Sequence, residues 1–180
     1  MGSGLDATAG SVRATGGYAI GMTSTDNKVT VSRTLDHSAK DVFDVLTLPE
    51  NHVRLDGSGF VRGVDTTSGA DRITENGQKF RMNMDGPHMG GEYQTDNVVT
   101  GFVRDKLVSW QTAPAGTEPP GWEWVWELEP RGPKQTHVSL TYDWTKVTDQ
   151  DLIKKVGFPL VSKHELEQSL AKLEEAVSGS

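Results

Sequence analysis

Hydrophobic and polar positions alternate with a period of two along much of this chain, and with a helical period near both ends. Val29, Val31, Arg33 and Leu35 alternate with Thr30, Ser32 and Thr34, which predicts a half-buried strand. Ser38 opens Ser-x-x-Asp with Asp41, a carboxylate variant of the capping box. It predicts a short helix with Val42, Phe43, Val45 and Leu46 on its apolar face, ended by Pro49. Residues 51–59 read as an irregular, polar, glycine-rich link. Residues 60–65, 79–84, 92–100 and 105–112 are further strand candidates, punctuated by Gly86-Pro87, Gly90-Gly91, Pro114 and Pro119-Pro120-Gly121. In 122–129, Trp122, Trp124, Trp126 and Leu128 alternate with Glu123, Glu127 and Glu129. Arg131-Gly132-Pro133 predicts a hairpin turn into Val138, Leu140, Tyr142 and Trp144. A short helix is expected over 149–156, interrupted at Gly157-Phe158-Pro159. Ser162-x-x-Glu165 then caps a terminal helix of about 16 residues, striped by Leu166, Leu170, Leu173 and Val177.

The order is strand, helix, about six consecutive strands and a long helix. Strands joined by short turns pair antiparallel, and an antiparallel sheet with helices on one face is an α+β layer arrangement. The strands carry one apolar and one charged face, so the terminal helix is the natural cover. The first 26 residues are rich in Gly, Ser, Thr and Ala and are expected to form a flexible arm, leaving one domain over 27–178. They lack the basic and apolar regions of a signal peptide, and no run of about 18 apolar residues occurs. A cytoplasmic location without a membrane span is therefore expected.

There are no cysteines among the 180 residues, which excludes disulfides, thiolate catalysis and Cys-ligated metals. Lys plus Arg is 18 against 25 Asp plus Glu, a net charge of −7. That balance argues against nucleic acid as a partner, because its phosphates need a concentrated basic face.

Trp122, Trp124 and Trp126 share one side of their strand, and Tyr142 and Trp144 share the inward side of the next. These rings either fill the core under the terminal helix or wall a cavity that one slender helix leaves open. A cavity lined by aromatic rings and methionines has the makeup of a small-molecule site. The expected lining is Phe80, Met82, Met84, His88, Tyr93, Trp110, Trp122, Trp124, Trp126, Tyr142 and Trp144.

Several segments carry a family resemblance: Ser38-Ala39-Lys40-Asp41-Val42-Phe43-Asp44, Asp56-Gly57-Ser58-Gly59, Phe80-Arg81-Met82-Asn83-Met84, Asn97-Val98-Val99 and Leu107-Val108-Ser109-Trp110. Gly157-Phe158-Pro159 and the segment from Leu166 to Leu173 complete it, over roughly residues 28–177. The chain resembles the helix-grip (SRPBCC, START-like) superfamily, which includes the birch-pollen-allergen-like proteins, and looks most like its actinobacterial polyketide cyclase/dehydrase branch. The resemblance implies a curved antiparallel sheet of six to seven strands gripping a long C-terminal helix, two short helices after the first strand, and a cavity between. Members bind lipids, sterols, plant metabolites or polyketides, and some cyclise or aromatise polyketides; the branch has no uniform chemistry.

His52, Arg54 and Asp56 lie in the link that borders the cavity mouth in such folds. They are candidates for acid–base catalysis with Arg54 polarising an enolate oxygen, or else a solvated loop with an Arg–Asp pair. Asp85 and His88 form a second acid–base candidate, or a plain polar turn. His37, His137 and His164 read as non-functional. No histidines stand at metal-ligand spacing, and there is no G-x-S-x-G elbow, P-loop or dinucleotide fingerprint, so no metal and no nucleotide cofactor is expected. The functional expectation is a small hydrophobic ligand in the cavity, with or without cyclisation or dehydration, in a monomer or homodimer. The alternatives are a passive carrier and a module that, like Hsp90-ATPase activators, works through surface contacts.

Overall fold

The computed structural model describes residues 27–68 and 71–180, so the arm expected over 1–26 lies outside the described residues. Among the described residues seven strands form one sheet: β1 Lys28–Leu35, β2 Val61–Val64, β3 Lys79–Gly86, β4 Gly91–Val103, β5 Leu107–Pro114, β6 Glu123–Gly132 and β7 Gln135–Asp143. Their order is β1-β7-β6-β5-β4-β3-β2, and every neighbouring pair is antiparallel. Consecutive hairpins build β2 to β7, and β1 closes onto β7 at the far edge. Bulges between Val99 and Gly101 in β4 and between Pro130 and Gly132 in β6 add to the bend of the sheet. This is the expected α+β helix-grip architecture.

Among the described residues there are four α-helices: α1 Ala39–Leu46, α2 His52–Leu55, α3 Gln150–Val156 and α4 Lys163–Ser178. Ser38 caps α1 by accepting from Asp41 N, and α1 ends three residues before Pro49, which starts a 3-10 turn instead. The link 51–59 is less irregular than its pattern suggests. His52–Leu55 makes one helical turn, the second of the two short helices that the family resemblance implied.

Ser162 accepts from Glu165 N at 3.2 Å, so half of the expected capping box forms at the start of α4. Its buried stripe is Leu166, Leu170, Leu173 and Val177, joined by Ser169 and Ala176. These residues face β1, β7 and the two short helices. The core therefore gathers Leu35, Val42, Leu46, Val138, Leu140 and the α4 leucines at one end of the sheet. Over β3, β4 and β5 this core gives way to His52 of α2, which packs on Phe80 and Trp110, and to open space beneath α3 and α4, and that asymmetry positions the site.

Candidate functional site: an aromatic cavity over strands three to six

Alternation on the strands and antiparallel register put the inward side chains in rows across the sheet. Met84 on β3 faces Tyr93 on β4; Met82 faces Thr95, which faces Pro114 on β5. Phe80 faces Asn97, which faces Thr112. Val99 faces Trp110, Trp110 faces Trp124 on β6, and Trp124 faces Tyr142 on β7. Above these rows lies a cavity of about 320 Å³, within the range of small-molecule sites. Its roof comes from Leu152, Val156, Phe158 and Leu160 around α3 and from Leu166 and Ser169 of α4. Exposed Met89, His88 and Lys155 also line it, so it opens to solvent between the β3–β4 turn and α3.

Ring geometry holds the walls. Trp124 stacks on Tyr142 at 4.2 Å and 7°, while Trp122 tilts against Phe158 at 5.9 Å. At the other end Phe80 meets Trp110 edge-on at 5.5 Å. Burial raises the Tyr142 hydroxyl above its ordinary range. The Tyr93 hydroxyl is pushed up to about 12, by burial first and then by the negative charges of Asp56 and Asp85. Both phenols are neutral at physiological pH.

Ten of the eleven expected lining residues border the cavity: Phe80, Met82, Met84, His88, Tyr93, Trp110, Trp122, Trp124, Trp126 and Tyr142. Trp144 does not. It follows the last paired residue of β7, and its ring turns behind the wall to stack on Phe158 at 5.8 Å and 11°.

His52, Arg54 and Asp56 do not converge on one point. His52 is 8% exposed and lies in the cavity wall, stacked on Trp110 at 5.0 Å, with Nε2 donating to the Leu46 carbonyl at 2.8 Å. Burial pushes its imidazole down to about 4, so it is neutral. Arg54 is exposed, borders no part of the cavity, and sits beside Gly179 just past α4, where a cation complements the helix dipole. Asp56 lines the cavity, but its carboxylate clamps the α2–β2 loop. Oδ1 accepts from the Ser58 backbone and hydroxyl at 2.9 and 2.6 Å, and Oδ2 from Val61 N at 2.9 Å. The solvated Arg–Asp pair does not form either.

His88 folds over Gly86 and against Phe60, 4.8 Å between ring centres, and pairs with the Tyr93 hydroxyl at 3.1 Å. Partial burial lowers its pKa. Asp85 instead pairs with Arg62 at 3.6 Å outside the cavity, so the second acid–base pair is not assembled. His37, His137 and His164 contact Ser178, Thr34 and Gln168 at the surface.

Sequence reasoning missed a polar group in the floor. Thr95, Asn97 and Thr112 all line the cavity and are all buried. The signal was available: the inward set Tyr93, Thr95, Asn97 and Val99 of β4 carries two polar residues where a packed core would place aliphatic ones. Among the described residues no group of three or more His, Asp or Glu gathers as metal ligands, and no helix is long and apolar enough to cross a membrane.

Comparison with known proteins follows the same fold. A solution structure of a protein from Arthrobacter aurescens aligns with a TM-score of 0.63 at 14% identity, over 86% of this chain and 88% of that one. A crystal structure from Mycobacterium smegmatis gives 0.60 at 11% identity, over 86% and 92%. An AHSA1-like protein from Aeromonas hydrophila gives 0.54 at 13%, over 84% and 92%. An uncharacterized protein of Mycobacterium tuberculosis is 30% identical over 149 residues; these are 79% of this chain but 62% of that relative's length. The model of the family "Activator of Hsp90 ATPase homolog 1-like protein" matches residues 36–178, and the chain belongs to this family of the helix-grip superfamily.

Proposed function

We propose that the protein binds one small, largely apolar molecule, aromatic or polyketide- or lipid-like, in the cavity between the sheet and helices α3 and α4. The observation that carries this reading is the cavity itself: about 320 Å³, walled by stacked tryptophans, Phe80 and three methionines, and open to solvent. Flat aromatic walls offer offset-stacked and edge-to-face contacts, and Met side chains adapt to an irregular guest. A module working only through surface contacts has no need of such a space. The prior commitments of His52 and Asp56 and the outlying position of Arg54 favour binding without acid–base turnover at the α2–β2 loop.

Native mass spectrometry beside the denatured mass tests this on the purified chain. An adduct lost on denaturation supports the reading and gives the ligand class. A Trp124→Ala variant should release it, since Trp124 contributes one face of the wall. A clean mass, together with unchanged tryptophan fluorescence across a panel of aromatic polyketides and fatty acids, would overturn it.

A further inference from the structure

Asn97 is out of place by every rule of sheet composition. Asn is depleted in strands, yet this one is 3% exposed on a central strand, under a largely apolar cavity. A buried amide carries two donors and an acceptor, each costly if unmade. Its acceptor is well satisfied: the Thr112 hydroxyl, directly across the β4–β5 pair, donates to Oδ1 at 2.7 Å. That bond fixes which way the amide faces.

Its donor end is poorly used. Nδ2 reaches the Phe80 carbonyl at 3.3 Å and the Thr95 hydroxyl oxygen at 3.5 Å, both beyond the usual 2.7–3.2 Å. The Thr95 hydroxyl donates to nothing among the described residues. The floor therefore presents under-used donors from Asn97, held in orientation by Thr112, and from Thr95, between Met82 and Phe80 on one side and Trp110 on the other. No charged residue lies on the inward face of β3, β4 or β5. A carboxylate seated there would be desolvated on a floor without a cation, since Lys155, the one Lys or Arg of the lining, stands exposed on α3 where the cavity opens, and a hydrocarbon would leave the donors without a strong partner.

Resting on the cavity reading above, we propose that Asn97, oriented by Thr112, anchors a neutral hydrogen-bond acceptor on the ligand. The cavity then selects apolar molecules carrying a carbonyl-type oxygen over their hydrocarbon and carboxylate analogues.

The test is isothermal titration of the full chain with three matched bicyclic probes: 1-tetralone, tetralin and tetralin-1-carboxylate. Solvation differences between probes cancel when the tetralone-to-tetralin affinity ratio is compared between wild type and variant. A neutral buried hydrogen bond is worth a factor of roughly 2 to 12 in binding, so Asn97→Leu should lower that ratio by this amount while tetralin still binds. Retained tetralin affinity also shows that the variant is folded. Thr112→Val, which removes only the orienting hydroxyl, should lower the ratio in the same direction and keeps the proposal testable should Asn97→Leu fail to fold. An unchanged ratio in these variants, or tighter binding of the carboxylate than of the ketone by wild type, overturns the anchor while leaving the cavity in place. Failure of all three probes to bind removes the anchor together with the cavity reading.

Discussion

His52 converts the packing of the cavity wall into a pH dependence of folding. Its imidazole is enclosed by Leu46, Phe80 and Trp110, and this burial outweighs the hydrogen bond to the Leu46 carbonyl, which by itself favours the charged ring. With a folded-state pKa near 4 against 6.5 in the unfolded chain, the unfolded state takes up the proton first as the pH falls. Stability is therefore intact above about pH 6.5 and is lost progressively down to about pH 4. The full loss is about 2.5 units at 1.36 kcal/mol each, or about 3.4 kcal/mol, of which about 2 kcal/mol is already gone at pH 5. Urea unfolding between pH 7.5 and 5, followed by tryptophan fluorescence and circular dichroism together, measures it. His52→Gln is the matched control, because the introduced amide can still donate to the Leu46 carbonyl but does not titrate. Losing the ring lowers the variant at every pH, so the informative quantity is the difference between the two curves. That difference should shrink by about 2 kcal/mol toward pH 5. The other four histidines, including His88 with its lowered pKa, are in both proteins and cancel. Parallel curves, within about 0.5 kcal/mol over this range, would refute the placement of a neutral, enclosed imidazole in the wall.

Other perturbations follow from close contacts elsewhere. Gly57→Ala puts a methyl onto the Glu165 carbonyl oxygen and 2.9 Å from Ser169 N, both helix backbone, so it should cost at least about 1–3 kcal/mol in urea unfolding. Gly59→Ala, two residues on in the same loop, meets nothing but adopts φ +81°, and should cost only about 1–2 kcal/mol; the reverse order would contradict the described loop packing. Leu173→Ala empties a fully buried position of α4 and should cost about 2–5 kcal/mol, read as a lowered urea midpoint with an unchanged slope. Ser38→Ala removes the α1 cap bond to Asp41 N and should cost about 1 kcal/mol; no change would mean that α1 is held by packing alone.

Where one physical rule dominated, the chain was readable. Period-two alternation from Trp122 to Leu128 and from Val138 to Tyr142 placed both strands and the face of each ring, because a strand offers only two directions for a side chain. The stripe from Leu166 to Val177 placed α4 for the corresponding reason at helical period. Reading failed where tertiary contact outweighed local pattern. The polar string from Asn51 to Gly59 looks like solvated loop, but apart from the exposed Arg54 several of its polar groups turn inward. Asn51 Nδ2 donates to Val45 O, His52 to Leu46 O, and Gly57 N to Ser169 Oγ on a helix more than a hundred residues away. Alternation assigns a face to Trp144 but not a neighbour, and Phe158, from the α3–α4 link, decided where its ring packs.

The α2–β2 loop ties the helix to the cavity. On one side Gly57 lets it lie against α4, with its N–H on the Ser169 hydroxyl at 2.9 Å and Lys172 Nζ on the Asp56 carbonyl at 2.8 Å. On the other side Asp56, Ser58 and Phe60 form part of the cavity wall. Phe60 on that loop and both Leu166 and Ser169 of α4 line the cavity, so a guest that needs this wall intact would bridge the loop and the helix. A bound ligand therefore stabilises the docking of α4 as well as the cavity, by RT ln(1 + [L]/Kd). The same coupling makes Gly57 a position where loss of fold and loss of binding go together, whereas Asn97, on the opposite floor and tied only to neighbouring strands, is where binding preference can change with the helix still in place.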